Sequence, residues 1–135
     1  MSGVHVRLHV GGESYAFGVE YVLEVAELGE IAPLPGAPAS VLGVKNLRGH
    51  VLPIFELASI LGIASEGPAL SLLVAEHEGR LAGFAIGEVV DVGVLAAPSD
   101  HAESKLLHGS VLDEGELVGV VDVPRLFRAL AQEEA

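Results

Sequence analysis

The sequence contains no cysteine, and its 135 residues include only seven lysines and arginines against 19 acidic side chains. Without thiols the chain has no disulfide framework, no thiolate metal site and no thiol nucleophile. The formal net charge of -12 repels phosphate backbones and anionic membranes, so nucleic acid is disfavoured as a partner. Because no stretch approaches the roughly 18 to 20 apolar residues of a membrane span and no secretory signal pattern is present, we expect a cytoplasmic location.

Motifs that carry chemistry are also missing from the sequence. The six histidines, at positions 5, 9, 50, 77, 101 and 108, have no His-Glu-x-x-His spacing and no neighbouring carboxylate cluster. No serine lies in a Gly-x-Ser-x-Gly elbow, and no glycine-rich phosphate-binding loop occurs. We therefore expect no catalytic residue, no metal and no cofactor, which indicates a binding or scaffolding module.

What the chain does contain is apolar sequence with strand periodicity. Half of the residues are hydrophobic and 19% are charged, so the chain can bury a core, and its length predicts a single domain over residues 1–135. Residues 4–10 alternate valine and leucine with polar residues, which predicts a strand with His5 and His9 on its solvent face. A two-turn helix is predicted to stop at Gly62, and a final helix is predicted from Pro124 through Leu130.

One segment, residues 43–57, combines two apolar stretches with a short polar connection. Lys45, Asn46, Arg48 and Gly49 form that connection, as expected for two strands joined by a tight turn. Two of the seven basic side chains lie there, within four residues. Arg48 is therefore the unusual residue of this acidic chain.

An internal repeat organises the rest of the sequence. A shift of 67 positions places Phe17 and Val22 over Phe84 and Val89, and a shift of 66 places residues 43–56 over 109–122. A period this long indicates two similar units. We predict a mainly all-β fold of two five-stranded, SH3-like or OB-like barrels with short helices. The approximate lobes are 15–66, with the return of a terminal segment, and 67–130.

The repeat isolates a difference of charge at the turn of the first unit. Residues 45–49 contain Lys45 and Arg48, whereas the matching residues 111–115 contain Asp113 and Glu114. A turn alone would accept either version. Two interpretations remain open: Arg48 is a solvated hairpin residue that pairs with Glu24 or Glu27, or it contacts a partner.

The segment from Val41 to Leu57 resembles the CheW family of bacterial chemotaxis coupling proteins. The family pattern of Gly-Val, Asn-Leu-Arg-Gly, apolar-Pro-apolar and acidic-Leu occurs here within residues 43–57. The segments 15–19, 22–27 and 34–35 are similar to the family as well, and the resemblance extends from about Val4 to Leu130. Glu56 stands where the family more often has Asp, and Lys45 stands where relatives often have an apolar or small residue.

The resemblance implies two five-stranded barrel subdomains and a non-enzymatic adaptor. Such an adaptor joins the cytoplasmic tip of methyl-accepting chemoreceptors to the regulatory domain of the histidine kinase CheA. By similarity, Val25, Glu27, Gly43 and Arg48 match positions of receptor and array contacts, and Asn46 is expected to fix the turn.

Three other functions stay open at this point. The chain could couple a chemosensory system whose output is not motility, or it could be a fragment of the kinase regulatory domain, which shares the pattern. A small-molecule-binding or hydrolytic barrel protein is a further alternative.

Overall fold

Ten β-strands dominate the described part of the chain, residues 3–64, 67–99 and 104–134 of this computed structural model. The predicted mainly-β class is confirmed. No helix in these ranges is long and apolar enough to span a bilayer. The strands are β1 (Gly3–Val10), β2 (Glu13–Gly18), β3 (Val22–Glu27), β4 (Val41–Leu47), β5 (His50–Glu56), β6 (Ser71–His77), β7 (Arg80–Ile86), β8 (Glu88–Leu95), β9 (Leu107–Asp113) and β10 (Glu116–Val121). The helices are a 3-10 turn at Val19–Tyr21, α1 (Leu57–Leu61) and α2 (Val123–Glu134).

The strands form two five-stranded sheets, which we call barrel one and barrel two. Barrel one has the order β3-β6-β7-β5-β4, and barrel two has the order β8-β1-β2-β10-β9. In each sheet, the segment that follows one edge strand, β3 or β8, reaches the opposite edge strand, β4 or β9. Ala32 and Val44 exchange two backbone hydrogen bonds of 2.9 Å in barrel one, and the Ser99 N–H donates to the Ser110 carbonyl at 2.9 Å in barrel two. These contacts curl each sheet toward closure.

The repeat predicted from the sequence is present in the order of the strands. The first repeat supplies β1 to β5 and α1, and the second supplies β6 to β10 and α2. Replacing every strand of barrel one by its repeat counterpart gives β8-β1-β2-β10-β9, which is the order observed in barrel two. The two barrels are therefore copies of one arrangement.

The barrels do not coincide with the lobes 15–66 and 67–130 expected from the sequence. β6 and β7 hydrogen-bond within barrel one, although they follow residue 66, and β1 and β2 join barrel two. The cause lies in two parallel pairings, β5 with β7 and β2 with β10, which connect one repeat to the other. Each barrel consequently takes three strands from one repeat and two from the other.

The main core lies between the two barrels and is centred on four phenylalanines. Phe84 is the middle ring, with centroid distances of 5.7 Å to Phe17, 6.0 Å to Phe55 and 6.3 Å to Phe127. All four rings are almost completely buried. Burial of such large apolar surfaces dominates the stability of a domain, so the barrels are held together by this shared core.

Both predicted helices are present, but each differs in length, and α1 has five residues instead of the predicted two turns. α1 ends at Gly62, whose φ of 73° provides the left-handed cap that the sequence predicted. α2 extends four residues beyond Leu130. Its Leu126, Phe127 and Leu130 pack into the main core, as their spacing predicted.

Candidate partner-binding site on barrel one

Arg48 lies at the tip of the hairpin formed by β4 and β5, in a left-handed backbone conformation. Its φ is 51° and that of Gly49 is 85°, which is the pattern of a two-residue turn that matches strand twist. The side chain of Asn46 caps this turn, since its Oδ1 accepts a hydrogen bond of 3.1 Å from the Gly49 N–H. The geometry agrees with the expected role of Asn46 in fixing the turn.

Three other hairpins of the protein use the same turn geometry with a different first residue. The turn pairs Gly11–Gly12, Glu78–Gly79 and Glu114–Gly115 all have positive φ at both residues. Glycine or glutamate therefore serves at the position that Arg48 occupies. A non-glycine residue there costs about 1 to 2 kcal/mol, so the turn itself gives no reason for arginine.

The guanidinium of Arg48 contacts the edge strand β3 across the opening of barrel one. Its Nη2 lies 3.1 Å from Oε2 of Glu24, and the two side chains are 77% and 22% exposed. Of the two acids that the sequence offered, Glu24 and Glu27, the structure pairs Arg48 with Glu24. An ion pair this exposed contributes at most about 1 kcal/mol, and most of the arginine surface stays accessible.

Val25 and Glu27 lie on the exposed face of β3. Burial alternates along this strand, with Leu23, Val25 and Glu27 exposed and the intervening residues partly buried. Val25 is 43% exposed and Leu23 is 55% exposed. Val25 and Glu27 therefore lie on the strand that Arg48 reaches, but on the opposite face from Glu24, whereas Asn46 and Arg48 lie together in the hairpin turn.

Gly43, the fifth predicted site residue, has a clear architectural role. Its φ is 153°, and an added Cβ would overlap the carbonyl oxygen of Ala32 and lie 2.8 Å from Cγ2 of Ile31. Gly109, its repeat counterpart, has a φ of 149° and would collide with Ser99 in the same way. Only glycine permits the strand crossing that closes each barrel.

Lys45 does not add a second outward-facing cation beside Arg48. Its Nζ donates a hydrogen bond of 2.7 Å to the carbonyl of Leu28, in the segment that follows β3. This contact fastens β4 to the chain beyond the edge strand, so Lys45 supports the fold while Arg48 faces outward.

A cavity of about 630 Å³ opens beside Arg48, and it was not predicted from the sequence. Leucine and valine side chains from all five strands supply its apolar wall, while Glu24 and Arg48 form its rim. The signal that could have located it is the repeat, which aligns three of its apolar positions, 47, 74 and 81, with the polar residues Asp113, Arg7 and Ser14 of the other copy. The apolar lining residues are Leu23, Leu47, Leu52, Val74 and Leu81.

Titratable side chains form no metal site in the described ranges. No group of three histidine or carboxylate residues there could hold a metal ion. His101 lies outside those ranges. The site on barrel one is thus a surface with an apolar cavity and one exposed guanidinium, an arrangement suited to protein recognition.

Comparisons with known proteins agree with this description. Residues 5–131 match the family model of the CheW-like domain. The chain is 28% identical over 140 residues to the chemotaxis protein CheW of Rhizobium meliloti, covering 96% of this chain and 90% of the relative. It is 30% identical over 138 residues to the chemotaxis protein CheW of Thermotoga maritima, with the same coverage.

A solved structure shares the fold. The crystal structure of the scaffolding protein TtCheW from Thermoanaerobacter tengcongensis superposes with a TM-score of 0.79 at 21% identity and covers 90% of both chains. Two barrels related by a repeat, the Asn-Leu-Arg-Gly turn at their exposed edge and the match over residues 5–131 lead to one assignment. This chain belongs to the CheW-like domain family.

Proposed function

We propose that the protein is a non-enzymatic, cytoplasmic adaptor that couples chemoreceptors to the histidine kinase CheA in chemotaxis signalling. Its partners are the regulatory domain of the kinase and the cytoplasmic tip of a methyl-accepting receptor. Membership of the CheW-like family supports this role. Two relatives that align over 96% of the chain are chemotaxis proteins, which supports it as well.

The observation that carries the proposal is the position of Arg48. The residue is 77% exposed in a turn whose three counterparts have glycine or glutamate, so neither burial nor backbone geometry selects arginine. A planar guanidinium can bind a partner carboxylate through two parallel hydrogen bonds, which fixes orientation as well as adding affinity. Arg48 therefore serves the interface and not the fold.

The surroundings of Arg48 suit a contact of this kind. Leu23 lines the cavity beside Arg48, and Val25 and Glu27 add exposed apolar and charged surface on the same edge strand, β3. A charge at such a surface discriminates among partners. A central apolar contact with a polar rim is the usual composition of a protein interface. Glu24 holds the guanidinium in place before binding, which lowers the entropy lost when the partner arrives.

The experiment is a reconstitution of receptor, kinase and this chain, followed by sedimentation. We expect the kinase to sediment with receptor fragments only when the chain is present. Arg48→Glu should abolish this co-sedimentation and leave the thermal melt close to that of wild type, since it removes only an exposed ion pair. Arg128→Glu is the matched control, because Arg128 is an exposed arginine of α2 and undergoes the same reversal of charge. Equal co-sedimentation with Arg48→Glu and wild type would contradict the role of Arg48.

A further inference from the structure

A second arginine, Arg7, occupies the mouth of barrel two in a different manner from Arg48. Arg7 lies on β1 and its side chain is only 12% exposed. Its Nε and Nη2 donate to both carboxylate oxygens of Asp91 at 2.7 and 2.6 Å, and its Nη1 donates to Asp113 at 2.6 Å. Glu114 lies further away, at 3.9 Å. One guanidinium therefore joins three carboxylates.

The repeat shows what this arginine replaces. Arg7 corresponds to Val74 and Asp91 corresponds to Glu24, and both pairs face each other across neighbouring strands. In barrel one, the acid of the edge strand is neutralised from outside by Arg48. In barrel two, the equivalent acid is neutralised from within by Arg7. The cation that neutralises the edge-strand acid therefore lies on a turn in barrel one and on a strand of the sheet in barrel two.

The position of Arg7 lets it join the two edges of barrel two. Asp91 belongs to β8 and Asp113 belongs to β9, which are the first and last strands of the sheet. The pairing of β1 with β8 shifts register between Arg7 and Leu8, so the backbone ladder is irregular where the side-chain contacts form. Apolar packing inside this barrel is slight, since Ala16, Leu95 and Val118 are its buried cluster.

A second layer of charges lies beside Arg7. His9 lies 3.3 Å from Glu88 of β8 and 3.4 Å from Glu116 of β10, and Glu116 also accepts a hydrogen bond from the Ser14 hydroxyl. The groups that face the opening are thus Arg7, His9, Asp91, Asp113, Glu114, Glu88 and Glu116.

We propose that Arg7 is a positioning residue, an ionic clasp that holds the edge strand β8 against barrel two and releases it in acid. Protonation of Asp91 or Asp113 removes the charge that strengthens these hydrogen bonds and leaves Asp91 with a single good acceptor oxygen, while the guanidinium stays charged throughout. The hydrogen bond from Arg7 lowers the pKa of Asp91. A carboxylate with a lowered pKa stabilises the fold at neutral pH and loses that contribution as the pH falls below its ordinary range.

The clasp matters because β8 presents an exposed row of valines. Val90, Val92 and Val94 are 42%, 58% and 69% exposed, and they match Leu23, Val25 and Glu27 of β3 in the repeat. An exposed apolar edge strand that leaves its own sheet invites pairing with another chain, so a contact that keeps β8 on β1 protects the fold. Arg7 supplies this contact.

Hydrogen exchange with mass spectrometry on the full chain tests the clasp. In Arg7→Met we expect exchange within residues 88–95 to rise about tenfold, since charge-assisted hydrogen bonds are lost, while residues 22–27 stay as in wild type. Arg48→Met is the matched control and should leave 88–95 unchanged. In the wild-type protein at pH 3.5, hydrogen exchange corrected for intrinsic rates should increase more within residues 88–95 than within residues 22–27.

Two results would overturn the clasp. One is unchanged exchange at 88–95 in Arg7→Met, and the other is an equal rise in both barrels, which would mean a general loss of stability. If Arg7→Met does not fold, Asp91→Asn decides by the same comparison of 88–95 with 22–27. That variant keeps the size of the side chain and removes only its charge, so selective loosening of β8 supports the clasp and equal exchange refutes it.

Discussion

Replacing Gly43 by alanine separates architecture from partner contact at the predicted site. The backbone at this residue has a φ of 153°, a conformation that costs a residue with a side chain about 1 to 3 kcal/mol. The new methyl group would also press on Ala32 and on Ile31, and it would disturb the two hydrogen bonds between Ala32 and Val44. We expect the free energy of unfolding to fall by about 3 kcal/mol.

This loss is large enough to measure in a thermal melt. With an unfolding entropy of about 2.1 cal/mol/K per residue, 3 kcal/mol corresponds to a decrease in Tm of about 10 °C for a chain of this length. Gly36→Ala is the control, because Gly36 also has a positive φ but no atom within 4 Å of an added Cβ. It should cost only the backbone contribution of about 1 kcal/mol.

The repeat provides an independent comparison. Gly109→Ala should destabilise the protein as much as Gly43→Ala, because Gly109 has the same conformation and a carbonyl oxygen in the same place. A Gly43→Ala protein that has the Tm of wild type but fails to bind its partners would refute the architectural role. Gly43 would then be a contact residue.

Further predictions concern the core, the turn and the response to acid. Phe84→Ala should lower the free energy of unfolding in guanidinium by about 3 to 5 kcal/mol, because its ring contacts three others; retention of wild-type stability would contradict a shared core. Asn46→Ala should cost about 1 kcal/mol through loss of the cap on Gly49, and an unchanged melt would show that the cap is not needed. The hydrogen bond from Ser14 lowers the pKa of Glu116 below its usual 4.5, so its contribution is present above 4.5 and is lost as the pH falls through the lowered value. Glu116→Gln should therefore flatten the acid end of the pH–stability profile, and an identical profile would exclude this carboxylate.

Local features of the fold could be predicted from the sequence because they depend on neighbouring residues. Alternation of apolar residues located β1, Gly62 located the end of α1, and Asn46 with Gly49 located the turn between β4 and β5. Which strands share a barrel depends on the parallel pairings of β5 with β7 and β2 with β10. These contacts join distant segments, and the period of the repeat does not specify them.

The polar face of β1 shows the same limit. Its alternation predicted solvent exposure for His5 and His9, yet both residues are only partly exposed, and Arg7 between them is nearly buried. In a barrel the second face of a strand points inward and not to solvent. The period-two pattern correctly predicted the strand. The environment of its polar face could be predicted only from the closure of the sheet into a barrel.

The sequence singles out the residue of the candidate site but not its surroundings. Arg48 could be singled out by the contrast with Glu114 in the other repeat. Its ion pair with Glu24, and the cavity beside it, arise from strands that meet only in the folded protein. For Gly43, the structure adds an architectural role that explains why glycine stands there.

The most direct test of the adaptor role at Arg48 is the Kd for the kinase regulatory domain, measured by calorimetry for wild type, Arg48→Gly and Arg128→Glu. Arg48→Gly relieves the left-handed strain and loses only an exposed ion pair, so its free energy of unfolding should stay within about 1 kcal/mol of wild type. We predict that this stable variant binds at least about tenfold more weakly, as expected when a charge-assisted contact is removed, while Arg128→Glu binds normally. Wild-type affinity in Arg48→Gly would contradict the account.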